Sequence, residues 1–423
     1  MDPSSEPPVT HEITATIDPV THQLTVEDQI QLPRSLRRAG ASFTLNAALE
    51  VSQSSVKLNK SKADEAGATM KYTLVEPATD GQIRVRYAGK MDFGLSDQKE
   101  EYTRGFRQTR GVVGNEGVYL DEDSQWVVKF DDRLIRFTLN VQCPDGWHVI
   151  SQGKGSSRDG QGWARWTAEG PMDQIYLVGG PLHRETDAAG SVEIQVFLRQ
   201  QDDSLSRKYL DTGARYLEMY RSLIGPYPYA KFALVENFWE TGYGMPSFTL
   251  LGSQVIRFPF ILHSSYPHEI LHNWWGNSVF VDYEQGNWCE GLTAYMADHL
   301  IQEQRGTGGE YRRNTLQRYR DYVREGRDFP LVEFRSRHNA ATGRRVRFSA
   351  QALRRMERCR WPGNLRELEN CVENAATLAC DELISIATLP CTHCLARVLG
   401  DAGCRSGVVC GNETSPDLPL VET

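Results

Sequence analysis

Two histidines four residues apart, His268 and His272, enclose a glutamate and are followed by a second acidic residue, Glu290. Residues four apart lie on the same face of a helix, so both imidazoles can point at one metal ion. The spacing predicts one Zn²⁺ held by His268, His272 and Glu290, with an open fourth position. Glu269 lies at the edge of the same face, where its carboxylate can act as the general base toward a metal-bound water.

Two short helices must position these side chains. Ser264 and Ser265 can cap a helix that carries Pro267 in its first turn, just before the first ligand. Asn287 can cap a second helix, which then has Glu290 in its first turn. Apolar spacing predicts the buried side of this second helix, formed by Leu292, Tyr295, Met296, His299 and Leu300.

From about His11 to about Thr342 the chain resembles the M1 family of zinc aminopeptidases, which are gluzincins. The resemblance rests on the two-histidine motif, on the Trp274–Asn277 run after it, and on Glu290-Gly291 with Tyr295 behind them. It implies a thermolysin-like catalytic domain, one Zn²⁺ and hydrolysis of a peptide substrate. The seventeen residues between the second histidine and Glu290 are one fewer than is usual in the family, a difference that a loop can absorb.

A Gly-Tyr-Gly-Met-Pro-Ser-Phe segment contains Gly244 and Met245 and lies where the family carries Gly-x-Met-Glu-Asn. The resemblance implies that Gly244 and Met245 bind substrate. Pro246 replaces the glutamate that binds the substrate α-amine in the family, and either Glu240 or Glu236 could take over that role. The segment is also typical of an edge strand with a turn. Exopeptidase and endopeptidase activity therefore both stay open.

The family places a tyrosine that donates a hydrogen bond to the reacting oxyanion beyond the last ligand, and the resemblance ends at about Thr342 without one. Tyr311, Tyr319 and Tyr322 come earlier, in a charged helical stretch. Loss of one such donor typically lowers the rate by about 10²- to 10³-fold. The sequence therefore predicts either an impaired metallopeptidase or a chimeric fragment that binds zinc without turnover.

A second resemblance covers residues from about 345 to 399. Phe348–Leu353 predicts the start of a capped helix, a Trp-Pro-Gly-Asn turn follows, and Leu365–Ala379 carries the apolar stripe of a second helix. This hairpin resembles the AAA+ lid of sigma-54-dependent transcription activators, in which the arginine matching Arg366 senses nucleotide phosphate. The sequence has no G-x-x-x-x-G-K-S/T loop, so we expect no ATP hydrolysis.

Seven of the nine cysteines lie between Cys359 and Cys410. The spacing of Cys359, Cys371 and Cys391 is similar to that of the redox-responsive nitrogen-fixation activators of this class, and Cys394 completes a C-x-x-C pair. These cysteines could bind a metal, form a reversible disulfide, or be an unpaired remnant. A redox- or metal-responsive regulatory module is therefore the alternative function.

The composition fits a multidomain protein with real hydrophobic cores: 423 residues, 40% of them hydrophobic, and a net charge of −8. The negative charge argues against broad nucleic-acid binding. Neither a signal peptide nor a membrane-spanning stretch is visible, so we expect a cytoplasmic protein without membrane association. The oligomeric state is not predicted.

Period-two patterns such as Glu12–Ile17 and Leu134–Val141 predict strands in the first half of the chain. A helical pattern follows over Leu205–Leu223, and Phe232–Phe238 is typical of a strand. We predict an α+β multidomain fold with four parts: an N-terminal β-sandwich-like domain over 1–195, a truncated thermolysin-like zinc peptidase domain over 196–342, a helical AAA+ lid-like hairpin over 343–399 and a disordered tail over 400–423.

Overall fold

The computed structural model describes residues 6–65, 67–97, 107–131, 133–282, 286, 288–324, 330, 332, 347–348 and 383–384. The chain divides into two units, Met1–Thr342 and Gly343–Thr423. The first unit contains nearly all the described residues and is mixed α+β, as predicted.

The N-terminal half of the first unit is built from strands. Their bounds are β1 (Val9–Asp18), β2 (Gln23–Gln31), β3 (Ser42–Asn46), β4 (Leu49–Ser54), β5 (Leu58–Lys62), β6 (Thr69–Leu74), β7 (Gln82–Lys90), β8 (Ser96–Asp97), β9 (Arg107–Gln108), β10 (Val112–Gly114), β11 (Gly117–Leu120), β12 (Ile135–Gln142), β13 (His148–Ile150), β14 (Lys154–Ser156), β15 (Trp163–Met172) and β16 (Leu177–Gly180). A short 3₁₀ turn spans Arg34–Leu36.

A seven-stranded sheet with the order β14-β15-β12-β1-β2-β7-β4 forms the body of this half. Side chains along β1 alternate strictly between buried and exposed, because successive residues of a strand point to opposite faces. The strands β1 and β12 were both expected from this alternation, and both are confirmed. Smaller sheets, β3-β6-β5, β10-β11-β16-β13 and β8-β9, complete the β region.

The second half of the first unit carries the functional elements. They are β17 (His183–Ala189), β18 (Val192–Leu198), α1 (Asp203–Leu223), β19 (Lys231–Asn237), β20 (Gly242–Met245), β21 (Phe248–Gly252), α2 (Ser265–Leu271), α3 (Trp288–Ala294), α4 (Leu300–Gln304) and α5 (Gly308–Arg324). Two 3₁₀ turns, Val255–Arg257 and Ile261–His263, precede α2, and a π-helical turn, Tyr295–His299, joins α3 to α4.

A five-stranded sheet, ordered β17-β18-β19-β21-β20, positions the site. The strands β18, β19 and β21 run parallel, while β20 pairs antiparallel with β21 and lies at the sheet edge. All seven residues of β19 are buried, as is usual for a parallel strand that is covered on both faces. On one face Met245 and Phe248 join the core of the β region, and on the other face Phe232 joins a core shared with α1 and α2.

Helix α1 fixes the position of α2. Asp202 caps α1 by accepting a hydrogen bond from the backbone N–H of Leu205 at 2.9 Å. The fully buried rings of Tyr209 and Tyr266 meet edge to face, with their centroids 4.9 Å apart. Gly213 permits this close approach, because a Cβ there would lie 2.6 Å from the Tyr266 hydroxyl. The helix and strand expected over 205–223 and 232–238 are therefore confirmed, with bounds shifted by one or two residues.

In the second unit the structure describes two short strands, β22 (Arg347–Phe348) and β23 (Leu383–Ile384), which pair in parallel. The predicted helical hairpin over 343–399 and the tail over 400–423 otherwise lie outside the described residues.

Candidate metal centre

The helix α2 and the residue after it present the two histidines. His272 caps the C-terminus of α2 with φ −55° and ψ −18°, so it continues the helical path and stays on the face of His268. The two Nε2 atoms lie 3.1 Å apart, and the ring planes are inclined by 75°. The expected four-residue pairing is therefore present in the structure.

Glu290 lies in the first turn of α3 and completes the cluster. Its Oε2 is 3.4 Å from Nε2 of His268, and its Oε1 is 3.5 Å from Nε2 of His272. The two histidine side chains are 21% and 14% exposed and the glutamate is 48% exposed, so the cluster opens to solvent on the glutamate side. These three side chains form the one group with metal-ligand spacing in the described part of the chain.

The charges around the cluster favour a cation. Burial opposes the charged form of His268, but the hydrogen bond with Glu290 and the carboxylates of Glu269 and Asp298 outweigh it and hold the pKa of His268 above its ordinary value. A site that raises the pKa of an imidazole in this way also suits a divalent cation.

The edge strand β20 runs directly past the general-base candidate. A Cβ on Gly244 would lie 2.2 Å from Oε2 of Glu269 and 3.7 Å from Cδ2 of His272. The space that the Glu269 carboxylate occupies thus exists because residue 244 has no side chain. Sequence reasoning identified Gly244 as a substrate-site residue but did not identify this contact.

The turn between β20 and β21 is fastened to α2. Ser247 has the unusual φ of 67°, and its N–H donates to Oδ1 of Asn273 at 2.6 Å. Nδ2 of Asn273 in turn donates to the backbone carbonyl oxygens of Glu269 and Ile270, at 3.2 and 3.1 Å. Asn273 therefore joins the edge strand to the helix that carries the histidines.

A buried lysine supports the same turn. Nζ of Lys231 donates to the Ser247 hydroxyl at 2.9 Å and lies 4.8 and 5.3 Å from the ring centroids of Trp166 and Phe248. Only 2% of Lys231 is exposed, and burial lowers the pKa of its amine to about 7. Lys231 thus joins the β region to the edge of the site.

A cavity of about 250 Å³ borders β20. Its lining includes Asp121, Glu122, Asp123, Tyr243, Gly244 and Met245. The Tyr119 hydroxyl donates to Oδ2 of Asp121 at 2.9 Å, and burial raises the pKa of the Asp121 carboxyl to about 6. Gly244 borders both this cavity and Glu269, so the cavity lies next to the candidate base.

The two glutamates considered as replacements at the amine site have other partners. Glu240 accepts hydrogen bonds from the backbone N–H groups of Gln254 and Val255, at 2.9 and 3.4 Å. Glu236 accepts from the guanidinium of Arg257 at 2.6 Å, and it also accepts from a backbone N–H. Neither glutamate lines the cavity described above.

The predicted serine cap of α2 is confirmed in position, since Ser264 is the N-cap residue, but the capping hydrogen bond is not formed. Ser264 precedes α2, but its hydroxyl donates to the carbonyl oxygen of Phe260 at 3.0 Å instead of capping the helix. Ser265 is already the first residue of α2. The predicted Asn287 cap lies outside the described residues.

The predicted buried stripe of the second helix is only partly correct: Met296 and Leu300 pack against the core and His299 is partly buried, but the other two residues are exposed. Leu292 and Tyr295 are 38% and 61% exposed, and Met296 and Leu300 are only partly buried. The buried positions recur instead at four-residue spacing: Cys289, Thr293, Ala297 and Ile301. Small side chains at the first three positions allow close packing, and the Thr293 hydroxyl accepts a hydrogen bond from the indole N–H of Trp275 at 2.8 Å.

Sequence reasoning missed Cys289, which lies beside a predicted ligand. Its Sγ is 3.4 Å from Nδ1 of His272 and 3.5 Å from the carbonyl oxygen of Trp275. Burial raises the pKa of this thiol to about 11. The four-residue spacing of Cys289, Thr293, Ala297 and Ile301 in the sequence could have indicated that Cys289 is buried, but not that it contacts His272. Cys359, Cys371, Cys391 and Cys394, the predicted redox or metal cysteines, lie outside the described residues, as does Arg366.

The fold is that of M1 zinc metallopeptidases. The M1 zinc metallopeptidase of Deinococcus radiodurans superposes with a TM-score of 0.56 at 17% identity, covering 93% of this chain and 89% of that one. A mutant form of the same enzyme gives 0.58 at 17% identity over 83% of each chain. Native yeast LTA4 hydrolase gives 0.57 at 11% identity, covering 81% of this chain and 57% of that one. At these identities the likeness is one of fold.

The C-terminal stretch matches a different group. Residues 330–396 match the model of an AAA+ ATPase lid domain. The Nif-specific regulatory protein of Herbaspirillum seropedicae is 39% identical over 108 residues, 23% of this chain and 19% of that protein. The protein of the same name from Azospirillum lipoferum is 52% identical over 42 residues, 10% and 7% of the two chains. This chain thus spans under a fifth of the length of these relatives.

No helix in the described part of the chain combines the length and the apolar character needed to cross a membrane.

Proposed function

We propose that this chain is a zinc-dependent metallopeptidase of the M1 type, with one Zn²⁺ held by His268, His272 and Glu290. The observation that carries the proposal is the spacing of the ligand atoms. Tetrahedral zinc with bonds of about 2.0–2.2 Å requires neighbouring ligand atoms about 3.3 Å apart. The two histidine nitrogens, 3.1 Å apart, are close to this spacing, and Glu290 turns one carboxylate oxygen toward each of them, Oε2 at 3.4 Å from His268 and Oε1 at 3.5 Å from His272. The M1 zinc metallopeptidases of the same fold support the choice of metal.

In the proposed hydrolysis the zinc ion would activate the water, and the side chains would transfer the proton. Bound zinc lowers the pKa of a water from about 15.7 to about 7 and polarises a carbonyl group. Glu269 receives the proton from the attacking water and passes it toward the leaving amine. Gly244 keeps the space in which that carboxylate lies.

The edge strand provides a means of orienting the substrate. In the described sheet β20 pairs only with β21, so its other edge can bind an extended peptide by backbone hydrogen bonds. The adjacent cavity gives room for a terminal residue. A peptide is therefore the proposed substrate, with Gly244 and Met245 on the strand that holds it.

The proposed activity is slow for this type of enzyme. The M1 resemblance implies a tyrosine donor to the oxyanion, and the matching part of this sequence ends without a counterpart. One missing donor corresponds to a rate about 10²- to 10³-fold lower. We therefore propose measurable but impaired hydrolysis.

The test compares Glu269→Gln with the wild-type chain for zinc content and hydrolysis of a fluorogenic peptide. The variant should retain about one zinc per chain and lose about 10²- to 10⁴-fold in rate, because only the base is removed. Glu218→Gln, on the exposed surface of α1, is the matched control and should leave both quantities unchanged. Equal hydrolysis by the wild type and Glu269→Gln would overturn the proposed function.

A redox- or metal-responsive regulatory module centred on Cys359, Cys371, Cys391 and Cys394 stays the alternative proposal, and it rests on the spacing of these cysteines. A variant with all four cysteines replaced by serine should then change the metal content or the thiol reactivity of the chain. Unchanged values for both would rule this alternative out.

A further inference from the structure

A buried side chain contacts the far side of His272, away from the cluster of candidate ligand atoms. A histidine that binds zinc through Nε2 must carry its proton on Nδ1 and needs an acceptor for it. The usual acceptors are a carboxylate, a backbone carbonyl or a water. In this chain the atom at Nδ1 is a sulfur: Sγ of Cys289, at 3.4 Å.

The surroundings of Cys289 fix the direction of this contact. Its Sγ also lies 3.5 Å from the carbonyl oxygen of Trp275, a group that can only accept. An S–H proton donated to Trp275 leaves a sulfur lone pair facing Nδ1 of His272. The result is a chain of two hydrogen bonds, from imidazole to thiol and from thiol to backbone carbonyl.

The backbone is shaped to admit the sulfur. Gly276 has φ +94°, and a Cβ there would lie 3.1 Å from Sγ of Cys289 and 3.4 Å from Nδ1 of His272. A side chain at 276 would therefore crowd both partners of the hydrogen bond. Cys289 is only 3% exposed, so the contact is shielded from bulk solvent.

Cys289 also directly precedes Glu290 in the first turn of α3. The same turn thus supplies one ligand and supports another, and a shift of α3 would move both together. Its buried neighbours Thr293 and Ala297 hold that turn against the rest of the site, with Thr293 bonded to the indole of Trp275.

We propose that Cys289 is a positioning residue of the metal centre, which accepts the Nδ1 proton of His272 and so fixes the tautomer and ring orientation of that ligand. This inference rests on the proposed function, because it assigns Nε2 of His272 to zinc. It differs from a packing role, since it requires an acceptor atom at position 289 and a volume-filling side chain alone does not satisfy it.

The experiment measures zinc affinity by competition with a chromophoric chelator, for the full chain and for Cys289→Ala, Cys289→Ser and Cys143→Ala. Loss of such a supporting group typically weakens metal binding by about 10- to 100-fold, and Cys289→Ala should show this loss. Cys289→Ser keeps an acceptor and a donor, so it should recover most of the affinity. Cys143→Ala is the matched control: its thiol is also buried and bonded to backbone carbonyl oxygens, but it lies in the β region and should leave zinc affinity unchanged.

A second readout separates positioning from packing. With Co²⁺ in place of zinc, the visible absorption of Cys289→Ala should shift, since the orientation of a ligand changes, while that of Cys143→Ala should match the wild type. His272→Ala reports any binding of metal elsewhere in the chain and is subtracted.

The outcomes distinguish the two proposals. Wild-type binding no tighter than that of His272→Ala would overturn the zinc site and this inference together. Tight wild-type binding with the same affinity in Cys289→Ala would overturn this inference alone. An equal loss in Cys289→Ala and Cys289→Ser, with an unshifted Co²⁺ spectrum in both, would assign Cys289 to packing and also overturn it.

Discussion

The β region and the metal centre lie in the same unit of the chain but are built in opposite ways. In the β region, strands of up to ten residues bury alternate side chains, and Phe43 and Trp166 are almost fully buried. In the metal centre, the ligands come from a seven-residue helix, the residue after it and the first turn of α3. The sheets therefore bury much of the apolar surface that stabilises the fold, while the positions of the candidate ligands depend on the packing of neighbouring elements.

The largest effect should come from opening a cavity in the β region. Phe43 is 1% exposed and its ring packs against Tyr72 and Phe130, with centroids 5.3 and 5.4 Å away. Phe43→Ala should lower the free energy of unfolding by about 3–5 kcal/mol in urea titrations. Zinc affinity of the folded variant should equal that of the wild type, and a weakened affinity would show that the two regions are not separable in this way.

Zinc should stabilise the unit through the metal centre alone. At a free concentration of 100 Kd, a ligand that binds only the folded state adds about 2.7 kcal/mol to the free energy of unfolding. We expect this gain in the wild type and in Phe43→Ala, and we expect it to vanish in His272→Ala. An undiminished gain in His272→Ala would place the stabilising zinc elsewhere.

A smaller effect is expected from adding one methyl group to the edge strand. Gly244→Ala pushes against the flexible end of Glu269, so the base should move while the fold remains intact. Peptide hydrolysis should fall by up to about 10²-fold, with zinc content unchanged. Gly160→Ala is the control, since a Cβ there meets nothing within 4 Å. If Gly244→Ala hydrolyses the peptide as fast as this control, the absence of a side chain at residue 244 does not matter for the function of Glu269.

The smallest effect concerns Lys231, at the junction of the two regions. Its pKa in the folded chain is lowered to about 7 by burial, so above that pH the unfolded state binds more protons and the free energy of unfolding rises with pH. Between pH 7 and pH 8 the rise should be about 1 kcal/mol in the wild type. Lys231→Met lacks the titrating group and should lack that rise. Urea titrations at the two pH values measure the free energy of unfolding, and an equal rise in both proteins would contradict the prediction.

The sequence predicted those features that depend on a local repeat. The alternation of apolar and polar residues over 12–17 predicts strand β1. The four-residue interval between His268 and His272 predicts that both candidate ligands lie on one helical face. The buried side of the helical segment that begins with α3 was predicted only in part, for two local reasons. A π-helical turn at Tyr295–His299 changes the helical phase, and three of the four buried residues, Cys289, Thr293 and Ala297, are small.

The remaining features depend on contacts between distant segments. Gly244 meets Glu269, and Cys289 meets His272, only after the edge strand and α3 have docked against α2. Neither residue belongs to a repeat that would reveal its partner. Ser264 shows that a short-range prediction can fail in the same way. A serine at this position favours a helix-capping hydrogen bond, but the Ser264 hydroxyl donates to the carbonyl oxygen of Phe260 instead.

The most direct test of the central claim is a crystal structure of the zinc-loaded full chain with anomalous scattering recorded on both sides of the zinc absorption edge. We expect one strong peak about 2.0–2.2 Å from Nε2 of His268, Nε2 of His272 and a carboxylate oxygen of Glu290. No peak among these three side chains, or a zinc bound only by C-terminal cysteines, would contradict it.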